Sequence, residues 1–162
     1  MTFDLRRIRF YEWMLALFGA GLIGVLFVDW YRVPGRQVDA WQAFAATDVI
    51  LAALGAVAVA VAVAAATHRT AALPQALSAV ATLAGIVATV IVVIHAASAP
   101  DISAPAGAGG SITREAGLWL ALVCSIGIAV AGWRSMADEH FPAPMRPNLH
   151  IERLELPPDA SA

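Results

Sequence analysis

Apolar and polar residues follow one another along this chain in blocks. The longest apolar block, Val49 to Ala66, reads VILAALGAVAVAVAVAAA, eighteen residues of Val, Ile, Leu, Ala and Gly only. As a helix it measures roughly 27 Å at about 1.5 Å per residue, close to a hydrocarbon core of about 30 Å. The VAVAVAVA repeat inside it has the period of a strand. A lone strand in lipid leaves its backbone groups unpaired, so the pattern predicts a helix. Three more blocks resemble it, and the predicted spans are 12–31, 48–66, 75–97 and 116–134. The expected fold class is all-α: a polytopic membrane protein, its four helices bundled at 12–134, with a disordered C-terminal tail.

The polar stretches between the blocks are short. Residues 1–11 interleave Phe3, Leu5, Ile8 and Phe10 with Arg6, Arg7 and Arg9, the positive flank that an inserting helix needs. A basic start before an apolar run also suits a signal peptide, but no small-x-small cleavage site follows closely, so an uncleaved anchor is expected. Residues 32–47 read as a polar connection with a turn at Pro34-Gly35. Thr67-His68-Arg69-Thr70 breaks the second span, and Pro74 suits the first turn of the next helix. Residues 98–115 are rich in Gly, Pro and Ser and read as a flexible loop without a fold of its own. Residues 135–162 form a charged, Pro-rich tail that cannot build a core.

With an even number of spans both termini share a side. Arg6, Arg7, Arg9, Arg69, Arg134 and Arg146 fall there, against Arg32, Arg36 and Arg114 opposite. The excess predicts cytoplasmic termini, a multi-pass cell-membrane location, and loops 32–47 and 98–115 outside. Trp13, Trp30, Trp41, Trp119 and Trp133 all fall at span ends, where an indole, apolar with one N–H donor, sits at the headgroup boundary.

Composition sharpens this picture. The chain of 162 residues is 60% hydrophobic and 14% charged, with mean hydropathy +0.73. Soluble domains carry about a quarter charged residues. A net charge of −2 offers no field for nucleic acid. The single cysteine, Cys124, excludes an internal disulfide and a multi-cysteine metal site; in an apolar span it reads as packing.

Lipid is as apolar as Leu, so close packing must hold the helices together. Small residues recur every four positions on each span: Ala16, Ala20 and Gly24; Ala52, Ala56, Ala60 and Ala64; Ala81, Gly85 and Thr89; Gly117, Ala121, Ser125 and Ala129. The interfaces are expected along these stripes.

Ionisable residues near spans are the candidates for chemistry, because mid-membrane charge costs about 2.5–3.5 kcal/mol on insertion scales. Asp29, Asp48, His95 and Glu115 fall near the outer face and Glu12 near the inner one; the span middles carry no charge. Asp48 is expected to cap the second span and Glu115 the fourth. Asp29 is expected to pair with Arg32, and Glu12 with Arg9 or with water. His95 reads as an interfacial histidine, with metal binding or proton shuttling as its functional alternative. A ligand set of His95, Asp29 and Asp48 would need three helix ends to converge, which the spacing does not indicate. No metal or cofactor is therefore expected. Gly107-Ala108-Gly109-Gly110 lacks a flanking strand and reads as linker. The prolines of Pro142-Ala143-Pro144 and Pro157-Pro158 are candidate polyproline ligands.

Trp41-Gln42-Ala43-Phe44 followed by Asp48, and Gly117-Leu118-Trp119-Leu120-Ala121 leading to Gly132-Trp133-Arg134-Ser135-Met136, resemble the uncharacterised small four-span integral membrane proteins of actinobacteria. The resemblance covers about residues 10–136. It implies the same architecture and an aqueous Asp at the second span, and it carries over no catalytic residues.

The functional expectation is a non-enzymatic structural or accessory membrane subunit. Its partners would be the bilayer and either a membrane protein or further copies of itself. A small oligomeric transporter or channel is the alternative. A membrane enzyme using His95 and the outer carboxylates is third.

Overall fold

The computed structural model describes residues 10–44, 46–67, 72–98 and 111–137. The basic flank before residue 10, the break at 68–71, the glycine run at 107–110 and the tail from 138 lie outside the described residues.

The chain is mostly helical, in the order α1 (Phe10–Val25), β1 (Asp29–Val33), β2 (Arg36–Asp39), α2 (Ala40–Ala43), α3 (Thr47–Thr67), α4 (Ala72–Ala97), β3 (Thr113–Arg114) and α5 (Ala116–Ala137). Among the described residues three stretches are long and apolar enough to cross a membrane: Thr47–Ala65, Ala76–Ala97 and Ala116–Ala137. Helix α1 is apolar but shorter. It packs against α3 and α5, and α4 packs against α5 and α3, so the four long helices close a ring.

The first span departs from its predicted bounds of 12–31. The helix ends at Val25, and Leu26, Phe27 and Val28 tighten it with bonds to Ile23, Gly24 and Val25 carbonyls. The Trp30 indole N–H then donates to the Val25 carbonyl at 2.9 Å. Trp30 is therefore not a headgroup anchor. It is fully buried and closes the end of its own helix.

The connection 32–47 is also more ordered than expected. Strands β1 and β2 pair antiparallel across the two-residue turn Pro34-Gly35, with Val33 opposite Arg36. Proline presets the first turn position, and Gly35 takes φ +88°, the combination of a type II turn. Strand β3 pairs on the other edge of β1, Tyr31 opposite Arg114 and Arg32 opposite Thr113. Part of loop 98–115 is thus the third strand of a small antiparallel sheet, order β2-β1-β3, set beside the helices of an all-α chain. The Asp39 carboxylate accepts from the Gln42 N–H at 2.8 Å and starts α2.

A bulge in β1 explains what the sheet covers. Asp29 faces Asp39 but Tyr31 already faces Val38, so β1 carries an extra residue. Neighbours in a regular strand point to opposite faces. The bulge lets Trp30 and Tyr31 both turn inward, and both are fully buried.

The small-residue stripes are divided in use. Ala81 and Gly85 on α4 and Gly117, Ala121 and Ser125 on α5 are buried as expected. On α1 and α3 much of each stripe faces outward: Ala20, Gly24, Ala56 and Ala60 are exposed, while Ala16, Ala52 and Ala64 are half-buried. Those two helices meet one stripe over, with Leu15, Gly19 and Leu22 buried on one and Leu51, Gly55 and Ala58 on the other. Gly19 and Gly55 mark the crossing. A Cβ on Gly19 would stand 2.7 Å from the Gly55 carbonyl oxygen.

Candidate functional site

The candidate residues Asp29, Asp48, His95 and Glu115 fall where β1–β3 meet the ends of α1 and α4 and the starts of α3 and α5. Helix α4 ends there with carbonyls that no helical N–H can reach. The Tyr31 hydroxyl donates to the His95 carbonyl at 2.8 Å, and Arg114 donates to the Ala97 carbonyl at 3.3 Å. Ser98 donates to the Ile94 carbonyl through both its N–H and its hydroxyl, each at 2.8 Å. The Arg114 cation also suits the negative end of the helix dipole. Burial pushes the Tyr31 phenol up to about 12, and the Arg114 charge offsets part of that rise.

His95 is held on two sides. Its Nδ1 lies 2.8 Å from the Ile91 carbonyl, an acceptor, so Nδ1 carries the proton. In the neutral ring Nε2 is then an acceptor, and no group among the described residues bonds to it. The ring meets Phe44 edge-on, centroids 4.2 Å apart. Phe44 also touches the rings of Trp30 and Tyr31, so one aromatic cluster joins β1, α4 and the entry to α3.

Asp48 lies in the first turn of α3, and its carboxylate accepts from the Val49 N–H at 2.9 Å. The helix already begins at Thr47, so Asp48 acts from inside the first turn and not from the flanking cap position. It is also 2% exposed, which corrects the aqueous placement implied by the resemblance.

Asp29 and Arg32 are linked through a third residue. With its amide NH₂ turned toward Asp29, Gln37 donates to the Asp29 carboxylate at 3.3 Å and accepts from Arg32 at 3.0 Å. Arg32 itself pairs with Glu115 at 2.9 Å. The direct Asp29–Arg32 pair is thus replaced by a bridge. Glu115, expected as a cap, is an ion-pair partner just before α5, and its N–H donates to the Trp30 carbonyl at 2.9 Å. At the opposite end Glu12 is buried within α1.

His95, Asp29 and Asp48 do not assemble as ligands: among the described residues no three His, Cys, Asp or Glu side chains are grouped to hold a metal. Trp30, Tyr31 and Gln37, not singled out from the sequence as site residues, organise this end. Their signal was Pro34-Gly35 between two short polar–apolar alternations, Tyr31-Arg32-Val33 and Gln37-Val38-Asp39.

No family model, curated protein or solved structure matches the chain. The resemblance to four-span actinobacterial proteins therefore rests on its two quoted motifs alone.

Proposed function

We propose that the four long helices form a transmembrane bundle, with both termini cytoplasmic and the small sheet outside, and that the protein is a non-enzymatic structural or accessory subunit. The observation that carries this reading is where the hydroxyls of α4 and α5 bond: one pair links the two helices, and the others close onto carbonyls of their own helix. Ser78 and Ser135 share a hydrogen bond of 3.1 Å, Thr82 donates to the Ser78 carbonyl, Thr89 to the Gly85 carbonyl and Ser125 to the Leu122 carbonyl. These hydroxyls are spent on the bundle itself, and apart from Asp48 in the first turn of α3 the remaining buried positions along α3, α4 and α5 are apolar or small. A transport path needs polar groups turned toward a passage. Bonds of this kind favour a packing role.

The outward small residues of α1 and α3 support the accessory part, since small side chains let another helix approach closely. Purification in a gentle detergent followed by mass spectrometry tests the proposal. A stoichiometric second membrane protein is the expected result. A pure homo-oligomer that passes ions or solutes in liposomes would replace the accessory role with transport.

A further inference from the structure

A groove of about 360 Å³ runs between α1 and α5, lined by apolar residues including Met14, Phe18, Val123, Gly127 and Val130, with Tyr11 at one end. Two sequence registers build it. Tyr11, Met14 and Phe18 recur at the spacing of one face of α1, and Val123, Gly127 and Val130 at that of one face of α5. Gly127 has no side chain, and the Phe18 ring occupies the space a Cβ would take, 2.6 Å from the Phe18 Cγ. Val123 and Val130 are exposed, so the groove opens away from the interior of the helix ring.

The next residue on the α5 stripe is Arg134, four positions beyond Val130 and in the last turn. It is exposed, and among the described residues it has no hydrogen-bond or ion-pair partner. Helices α1 and α5 run antiparallel here, since Gly127 meets Phe18, Gly21 faces Cys124 and Gly117 meets Trp30. The end of the apolar groove lined by Tyr11 and Val130 is therefore the end of α5 that carries Arg134.

We propose that this groove holds one acyl chain of a glycerophospholipid, with its phosphate bound by Arg134 and the Tyr11 hydroxyl. The inference rests on the transmembrane reading above. In that setting hydrocarbon is the medium along the groove and lipid phosphates lie at its end. A guanidinium binds a phosphate through parallel N–H bonds. The positive charge of Arg134 favours a lipid with net negative charge over a zwitterionic one.

The test uses the full chain, first in membranes and then purified in a mild detergent. Alkaline extraction of membranes comes first: release into the soluble fraction would refute the transmembrane reading, and the lipid site with it. For protein that stays in the membrane, lipid phosphorus per chain and intact-complex mass spectrometry are measured. Wild-type protein should retain a single phospholipid. Val130→Trp, which fills the groove from an exposed position, should lose it. Val90→Trp, exposed on α4, should keep it.

Phosphatidylglycerol should raise the melting temperature of wild-type protein more than diacylglycerol of the same chains does. In Arg134→Gln that difference should vanish while the diacylglycerol response remains. Equal lipid retention by the two Trp variants, or an unchanged phosphatidylglycerol preference in Arg134→Gln, would overturn the lipid site. So would a polypeptide cross-linked at Val130 with no lipid retained.

Discussion

The Tyr31 hydroxyl donates to the main-chain carbonyl of His95, 2.8 Å away and sixty-four residues along the chain. This contact ties the inner strand of the sheet to the end of α4. Tyr31→Phe leaves a helix-end carbonyl without its donor while preserving the buried ring. It should cost about 0.5–1.5 kcal/mol, the usual worth of such a bond. Thermal melts of the two proteins in detergent measure it.

The same phenol makes stability depend on alkaline pH. Its folded value is pushed up to about 12 from an ordinary 10, so the unfolded chain releases its proton first. The contribution is fully present below pH 10 and is lost as pH rises through about 12. Melts between these limits should fall more steeply for wild type than for Tyr31→Phe. A titration at 295 nm in a Tyr11→Phe background should place the remaining phenol near the upper limit.

Asp48 should act through its acceptor oxygen more than through its charge. Only the Val49 N–H bonds to it among the described residues, and asparagine supplies the same acceptor. Asp48→Asn should keep most of the stability, and Asp48→Ala should lose about 0.5–2 kcal/mol. A stable Asn variant that fails to complement a deletion would show that the carboxylate must exchange a proton.

The α4–α5 contact leaves no room for a methyl group at Gly85. A Cβ there would stand 2.7 Å from the Ala129 Cα. Gly85→Ala should destabilise by about 1–3 kcal/mol, the range for overpacking. Gly24→Ala has nothing within 4 Å of the new atom and should be neutral or stabilising. Paired melts separate the two sites, and similar losses would contradict the close α4–α5 approach.

Membrane orientation is tested by labelling cysteines introduced into a Cys124→Ser background. A reagent added outside intact cells should reach Gly109→Cys and miss Thr70→Cys. The opposite pattern would invert the proposed topology.

Residue chemistry alone determined the three long apolar helices, because the length and composition of each block are local properties. It also marked the Pro34-Gly35 turn, since proline and glycine restrict or free the backbone wherever they stand. It could not say which stripe of each helix faces its neighbour. Ala, Gly, Val and Leu on both sides of α1 and α3 are equally at home against lipid, so hydrophobic periodicity carries no inside or outside. The Ala16-Ala20-Gly24 stripe lost to Leu15-Gly19-Leu22 because Gly19 and Gly55 cross closely, a relation between two segments.

The candidate site divides in the same way. Asp48, His95 and Asp29 were legible as polar residues flanking apolar blocks. Their surroundings were not. Trp30 turns inward only because β1 bulges, and that bulge is defined by pairing with β2. The α4 carbonyls are satisfied by Tyr31 and Arg114 from strands distant in the chain. Hydrogen bonds of this kind depend on where the backbone of another segment lies, so only the tertiary structure decided how these residues are paired and buried.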